Sequence, residues 1–251
     1  MTEKNPYLSV IIPAYNEAER IPSTLLDIDH KLHDAPFEYE IIVVNDGSKD
    51  NTAGVVRKLA NTVKNLILID NGTNKGKGGV VTQGMLSARG QIRLFMDADN
   101  STSVDQFMNM KPLFDEGAQV VIGSRAAKGS RLQPPEPLYR QILGKLGNIL
   151  IQLTNVPGIW DTQCGFKAFT ANAAQEIFSR VRTKGWGFDI EILAIARALG
   201  YKIKQIPVFW VNAAGSKVGF SAYLKVFKEN FIIRWWFLTG KYGVSRRLPV
   251  F

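Results

Sequence analysis

Leu94–Ser103 reads LFMDADNSTS: an apolar run that stops at Asp97, followed one residue on by Asp99. A half-buried strand ending in Asp-Ala-Asp sets two carboxylates near one another, where their repulsion is costly unless a cation joins them. The alternative is that both aspartates cap the helix that follows, because carboxylates also sit well at a helix N-terminus. Which of the two applies depends on what surrounds the segment.

Working outward, short runs rich in β-branched residues recur: LSVII (8–12), YEIIVV (39–44), NLILI (65–69), IRLFMD (92–97) and QVVIG (119–123). Between them lie longer segments with helical spacing, EAERIPSTLLDIDHKL and NTAGVVRKLANTV among them. Strand and helix alternating in this way predict an α/β fold, a mostly parallel sheet covered by helices on both faces. In such sheets ligands bind beyond the carboxyl ends of the strands. Those ends read PAYNEAER, NDGSKDNT and DADNST. Neither G-x-G-x-x-G after a strand nor G-x-x-x-x-G-K-[ST] is present, so dinucleotide-binding and P-loop readings fall. NKGKGGVVTQG (74–84) is glycine-rich, basic and opens a helix. Free N–H groups there, with Lys75 or Lys77, suit phosphate oxygens, although an exposed turn has the same composition.

At 251 residues and 45% hydrophobic, the chain has the material for one substantial core. Its single cysteine, Cys164, excludes an internal disulfide framework and any multi-cysteine zinc site, and reads as a small core residue. No signal peptide and no apolar run of about 18 residues is found, so the expected location is cytosolic. Net charge is +9, distributed unevenly: residues 1–123 hold 12 basic and 16 acidic side chains, residues 124–251 hold 19 and 6. The basic half suits an anionic partner, either nucleic acid or the anionic face of a membrane.

The ordered set SVIIPAYNE, IIVVNDGSKDNT, NKGKGG and DADNST resembles the inverting family 2 glycosyltransferases with the GT-A fold. IGSR (122–125), DTQCGFKAF (161–169) and GFDIEIL (187–193) narrow the likeness to polyprenyl-phosphate sugar transferases, above all the dolichyl-phosphate β-glucosyltransferase branch. The likeness covers nearly all of residues 7–211. It implies a single GT-A domain over 1–218, with a nucleotide-sugar half (about 1–123) and an acceptor half (about 124–218), followed by a basic aromatic helix and tail (219–251). It also implies transfer of a hexose, glucose first, from a UDP-sugar to a polyprenyl phosphate, dolichyl or undecaprenyl. Two other classes stand behind it. A GT-A enzyme acting on a soluble or glycan hydroxyl would require a strong base near the metal. A nucleic-acid-binding protein would leave the clustered aspartates unexplained, so no nucleic acid partner is expected.

Roles follow from the resemblance residue by residue. Asp99 is the principal ligand of Mg²⁺ or Mn²⁺, and Asp97 supports the metal or the donor. Pro13, Ala14, Tyr15 and Glu17 line the base and ribose, with Gly76, Lys77 and Ala98 also on the donor side. Asp46 accepts from the pyrimidine ring, which favours uracil because uracil presents an N–H where cytosine does not. Asn45-Asp46-Gly47 as a plain turn and Tyr15 as a core residue are the alternatives.

A phosphate monoester has its second pKa near 6, so at neutral pH the acceptor is already a nucleophile and no strong base is demanded. The task is to hold two anions together, and Arg125, Arg131 and Lys167 are the candidates for the acceptor phosphate. Arg125 matches the family's position; mannosyl relatives often have arginine where Lys167 stands. Asp161, Gln163, Asp189 and Glu191 are read as sugar-hydroxyl or supporting contacts, with Glu191 beginning, and capping, an apolar helix.

In the tail, Phe220, Leu224, Phe227, Phe231, Trp235 and Leu238 recur at steps of three or four among Lys225, Lys228, Arg234 and Lys241. Such a helix either lies in a membrane interface or packs on the domain or a partner subunit. The expectation is peripheral contact with the inner face of a cell membrane, and a homo-oligomer is allowed but not required.

Overall fold

The computed structural model describes residues 5–133, 138–211 and 220–244. The expected arginines of the tail after Val244 and the side chain of Phe220 lie outside the described residues.

The five strands expected from β-branched runs form as β1 (Leu8–Ala14), β2 (Tyr39–Asn45), β3 (Leu66–Asp70), β4 (Ile92–Met96) and β5 (Val120–Ser124). They alternate with α1 (Ile21–Leu32), α2 (Thr52–Leu59), α3 (Lys77–Ser87) and α4 (Phe107–Asp115). The second half adds β6 (Arg131–Gln133), α5 (Leu138–Thr154), β7 (Phe166–Thr170), α6 (Ala171–Phe178), α7 (Phe188–Ala198), β8 (Ile203–Pro207), β9 (Phe209–Val211) and α8 (Phe220–Leu238).

Seven strands form one sheet in the order β3-β2-β1-β4-β7-β5-β8, and β6 pairs with β9 in a separate two-stranded sheet. Within the large sheet β7 alone runs antiparallel to its neighbours, β4 and β5. Strand order reverses between β1 and β4, which places a topological switch point, and the ligand crevice that goes with it, at their carboxyl ends. Both faces of the sheet are buried, as the continuous apolar runs of β1 and β2 require. Alternate residues serve different cores: Val10 and Ile12 pack with α1 and α4, whereas Ile11 and Phe95 pack with α3, α7 and α8.

The two halves expected from the sequence, about 1–123 and 124–218, therefore share a sheet. β7, from the second half, lies between β4 and β5 of the first. Helix α7 begins at Phe188 rather than at Glu191, so Asp189 and Glu191 both lie in its first turn.

Candidate active site

The carboxyl end of β4 delivers the two aspartates. The Asp97 N–H donates to the Gly165 carbonyl at 3.2 Å. A Cβ on Gly165 would stand 2.0 Å from Asp97 Oδ2, so only glycine lets β7's approach pass this close to the carboxylate. Asp99 Oδ1 accepts the Ser101 N–H at 3.0 Å. Burial, and then the neighbouring Asp97 charge, lift the Asp99 carboxyl above its ordinary value. The next residue, Asn100, has φ +54°, and Asn16 beyond β1 has the same value: among the described residues, two of the three non-glycine residues in the left-handed region stand at these strand ends. The residues after Asp99 run into a 3₁₀ turn at 104–106, and neither aspartate caps α4.

A lysine lies against this pair. Lys77, the first residue of α3, places Nζ 2.6 Å from Asp97 Oδ1 and 4.7 Å from the centre of the Trp186 ring. Burial opposes its charge, but Asp97, then Asp189 and Asp99, hold its pKa above the usual value. The backbone at the start of α3 is less open than expected. Lys75 N–H donates to Asp46 Oδ1 at 2.5 Å, Gly76 N–H to Asn74 Oδ1 at 3.2 Å, and Gly78 N–H to the Lys184 carbonyl at 2.9 Å. Gly76, at φ +80°, packs on that same carbonyl, so of the N–H groups expected to be free at least three are engaged, the Gly78 one by the 183–185 segment.

The donor-side expectations divide. Tyr15 is exposed at the switch point and Pro13 is half-buried. Ala14 and Ala98 are buried in the core beneath α1 and offer main chain only: the Ala14 carbonyl accepts the Asp46 N–H, and the Ala98 carbonyl accepts Thr24 Oγ1. Glu17 forms a two-bond pair with Arg20, both bonds at 2.8 Å, so it braces the loop after β1 rather than presenting an unengaged carboxylate. Asp46 spans β1, β2 and the 74–76 loop; burial raises its pKa, against the Lys75 and Gly76 N–H groups.

Among the residues expected to hold the acceptor, Arg125 follows β5 and grips Asp161. Nε and Nη2 reach the two carboxylate oxygens at 2.8 and 2.9 Å, and the Arg125 N–H adds a third bond at 2.8 Å. Burial alone would raise the Asp161 pKa; the guanidinium reverses this and holds it below the ordinary range. The guanidinium also stacks on Trp210, 4.8 Å from the ring centre. Trp210 lies on β9, opposite Leu132 of β6, and the exposed Arg131 is the neighbouring position on that strand. The small sheet thus holds Arg131 and the Trp210 support of Arg125 together. Gln163 Nε2 is buried with no hydrogen-bond partner among the described residues.

One expectation is corrected. Lys167 does not offer its charge to an acceptor phosphate: the side chain is 0% exposed, with Nζ bonded to Asp189 Oδ1 and to the Cys164 carbonyl at 2.9 Å. The reason is its position at the centre of β7, level with Phe95 and Ile122 of the flanking strands. Glu191, expected as a sugar-hydroxyl or supporting contact, is engaged within the protein. Its oxygens accept the N–H groups of Arg182 and Thr183 and the Tyr242 hydroxyl at 3.0, 2.8 and 2.6 Å, so it anchors a loop to the C-terminal segment. Cys164 is a buried core residue, its thiol pushed up to about 12 first by burial and then by Asp161.

Sequence reasoning missed Trp186, Trp210 and the packing role of Gly165. The signals were present as KGWGF and QCGF, an aromatic residue between two glycines and a glycine beside a cysteine, but neither spacing says which part of the chain lies opposite.

A mostly parallel sheet with paired carboxylates at its switch point, joined to a basic second half, is the architecture of the GT-A glycosyltransferases. The chain belongs to glycosyl transferase family 2, which matches residues 9–178. It is 39% identical over 230 residues to dolichyl-phosphate β-glucosyltransferase ALG5D of Trichomonas vaginalis, covering 88% of this chain and 70% of that one. It is also 39% identical over 259 residues to the dolichyl-phosphate β-glucosyltransferase of Dictyostelium discoideum, covering 96% and 79%. Among solved structures, glucosyl-3-phosphoglycerate synthase of Mycobacterium tuberculosis, in complex with Mn²⁺, UDP and glucosyl-3-phosphoglycerate, shares the fold. Its TM-score is 0.65 at 18% identity, over 96% of this chain and 81% of that one.

Proposed function

We propose that the protein transfers glucose from UDP-glucose to a polyprenyl phosphate of the dolichyl type, with inversion, at the cytosolic face of a membrane. The observation that carries this reading is the Asp97–Asp99 pair at the switch point, with the Arg125–Asp161–Trp210 assembly on the acceptor side of the same sheet. The sugar and acceptor class are those in the names of the relatives that match most of the chain.

The carboxylate pair fits a divalent cation: Asp99 carries a raised pKa that a cation would relieve. Among the described residues no group of three His, Cys, Asp or Glu gathers here, and a cation held by one or two carboxylates would draw further ligands from the substrate's phosphate oxygens. Mg²⁺ or Mn²⁺ bound by Asp99, with Asp97, would neutralise the diphosphate leaving group. UDP and Mn²⁺ in the solved relative with this fold support the choice. Lys77 balances Asp97 on its other side. The unpartnered Gln163 amide suits a sugar hydroxyl.

A mechanism without a strong base is supported by what the other acids are doing. Asp161 is occupied by Arg125, Asp189 by Lys167, and Glu191 by two N–H groups and a tyrosine. A phosphate dianion needs no such base, whereas a hydroxyl acceptor does. Of the three candidate cations for the acceptor phosphate, Arg125 is half-buried and Arg131 exposed, whereas Lys167 is buried. Helix α8 supports lipid access: Leu224, Phe227, Phe231, Trp235 and Leu238 are 47–62% exposed, with Lys225 and Lys228 among them. No helix among the described residues is long and apolar enough to cross a membrane.

The test is a donor screen with detergent-dispersed polyprenyl phosphate, a panel of nucleotide sugars, and Mg²⁺ or Mn²⁺. Lipid-linked glucose from UDP-glucose is expected, and no lipid-linked product from any donor would sink the proposal. Asp99→Asn should lower kcat/KM by about a hundredfold or more while the protein stays folded.

A further inference from the structure

Helix α8 carries a carboxylate that the reaction described above does not use. Glu229 points inward, and its Oε2 accepts the Gly187 N–H at 2.6 Å. It also packs against two glycines: a Cβ at Gly185 would stand 2.2 Å from Oε1, and one at Gly187 would stand 2.7 Å from Glu229 Cβ. A side chain at Gly185 would push the Glu229 carboxylate aside, and one at Gly187 would push on the Glu229 stem, so the two glycines let the loop lie on this carboxylate.

The same loop is fixed at its other points. Thr183 N–H donates to Glu191 Oε2 at 2.8 Å, and the Lys184 carbonyl accepts Gly78 N–H from α3 at 2.9 Å. Trp186 lies between these anchors and Gly187. Its ring meets Lys77, and Lys77 meets Asp97. From α8 to the paired aspartates the contacts are therefore continuous: Glu229, Gly187, Trp186, Lys77, Asp97. The other side of α8, two residues away in either direction, is the exposed apolar row that includes Phe227 and Phe231.

We infer that Glu229 is a positioning residue for the nucleotide-sugar site, acting through the 183–187 loop, and that α8 supports that site from the same helix that bears the apolar outer face. The inference rests on reading the Asp97–Asp99 site as the donor site. A charge-assisted bond to a main-chain N–H fixes the loop more firmly than a neutral one, and a residue displaced by a fraction of an ångström at Lys77 shifts its pairing with Asp97.

The test uses the full chain and three variants, Glu229→Gln, Glu229→Ala and Gly185→Ala, with three readouts. Hydrogen exchange follows residues 183–188, calorimetry follows UDP binding with Mn²⁺, and steady-state kinetics vary donor and acceptor separately. Glu229→Ala and Gly185→Ala should speed exchange in 183–188, weaken UDP binding and raise the donor KM by about tenfold, with the acceptor KM unchanged. Glu229→Gln keeps an acceptor oxygen of the same reach and should return all three to within about threefold of the parent. Unchanged exchange and donor KM in a folded Glu229→Ala protein would overturn the inference. So would an equal rise in both KM values, or a glutamine variant no better than alanine. If Glu229→Ala does not fold, Gly185→Ala and Glu229→Gln decide the matter. Failure of the parent protein to glycosylate any lipid phosphate would count against the proposed function, while exchange and UDP binding would still report on Glu229.

Discussion

At Asp97 three parts of the chain converge: its own strand end, the Gly165 backbone and the Lys77 ammonium. The aspartate was legible in DADNST because its chemistry is local, two acids one residue apart at a strand end. Its neighbours were not, since Lys77 and Gly165 reach it from 20 residues before and 68 after. The contact with Gly165 makes a sharp prediction. Gly165→Ala must displace either the strand or the carboxylate, and kcat/KM should fall by about a hundredfold with circular dichroism unchanged, as for a displacement of about 1 Å at a reacting centre. Lys167 offers the opposite lesson, because sequence displays a charge but not its burial. In the middle of β7 that charge is a structural one, closed on Asp189, which is itself only 2% exposed. Lys167→Met should therefore destabilise the protein by about 3–5 kcal/mol in urea unfolding, by leaving a buried carboxylate unpaired. Lys167→Met/Asp189→Leu should recover most of that loss. An effect confined to the acceptor KM, with stability intact, would contradict this.

The element whose reading changed most is α8. Its spacing predicted one apolar row and left open whether that row faces lipid or the domain. The helix has two apolar sides. Ile233 and Phe237 are buried in the core, and buried Asn230 bonds Asn155 of the segment after α5 through its carbonyl at 3.0 Å and its Oδ1 at 2.8 Å. The row read from sequence is the other side, and from Leu224 onward it is exposed. Periodicity located the stripe but not its direction, because a helix apolar on both sides gives no amphipathic contrast to orient it. Replacing Phe227, Phe231 and Trp235 by serine should abolish sedimentation with anionic vesicles and lower the urea midpoint only modestly, since 47–62% of each residue is already exposed. The same substitutions at Ile233 and Phe237 should unfold it. Loss of vesicle binding only in the second set would show that the row does not meet lipid.

Across the whole molecule, the sheet joins what the charge distribution separates. An acidic first half and a strongly basic second half meet where β7 runs between β4 and β5. Substrate binding at the junction should stabilise the whole fold by linkage. UDP with Mn²⁺ at about 100 times its Kd should add roughly 2.7 kcal/mol and raise Tm by a few degrees. Chelation of the metal, or Asp99→Asn, should remove the shift; a shift that survives both would place nucleotide binding elsewhere. By itself the sequence determined the fold class, the five strands of the first half and the placing of the candidate chemistry at their carboxyl ends. Periodicity, strand-end motifs and turn residues are properties of neighbours in the chain. Only the tertiary structure decided which charges are spent on one another: Arg125 on Asp161, Lys167 on Asp189, Glu191 on a loop and a tyrosine. It also decided which side of α8 faces out. Those outcomes depend on burial and on pairs tens of residues apart, and the energy of a charge is set by what surrounds it in space.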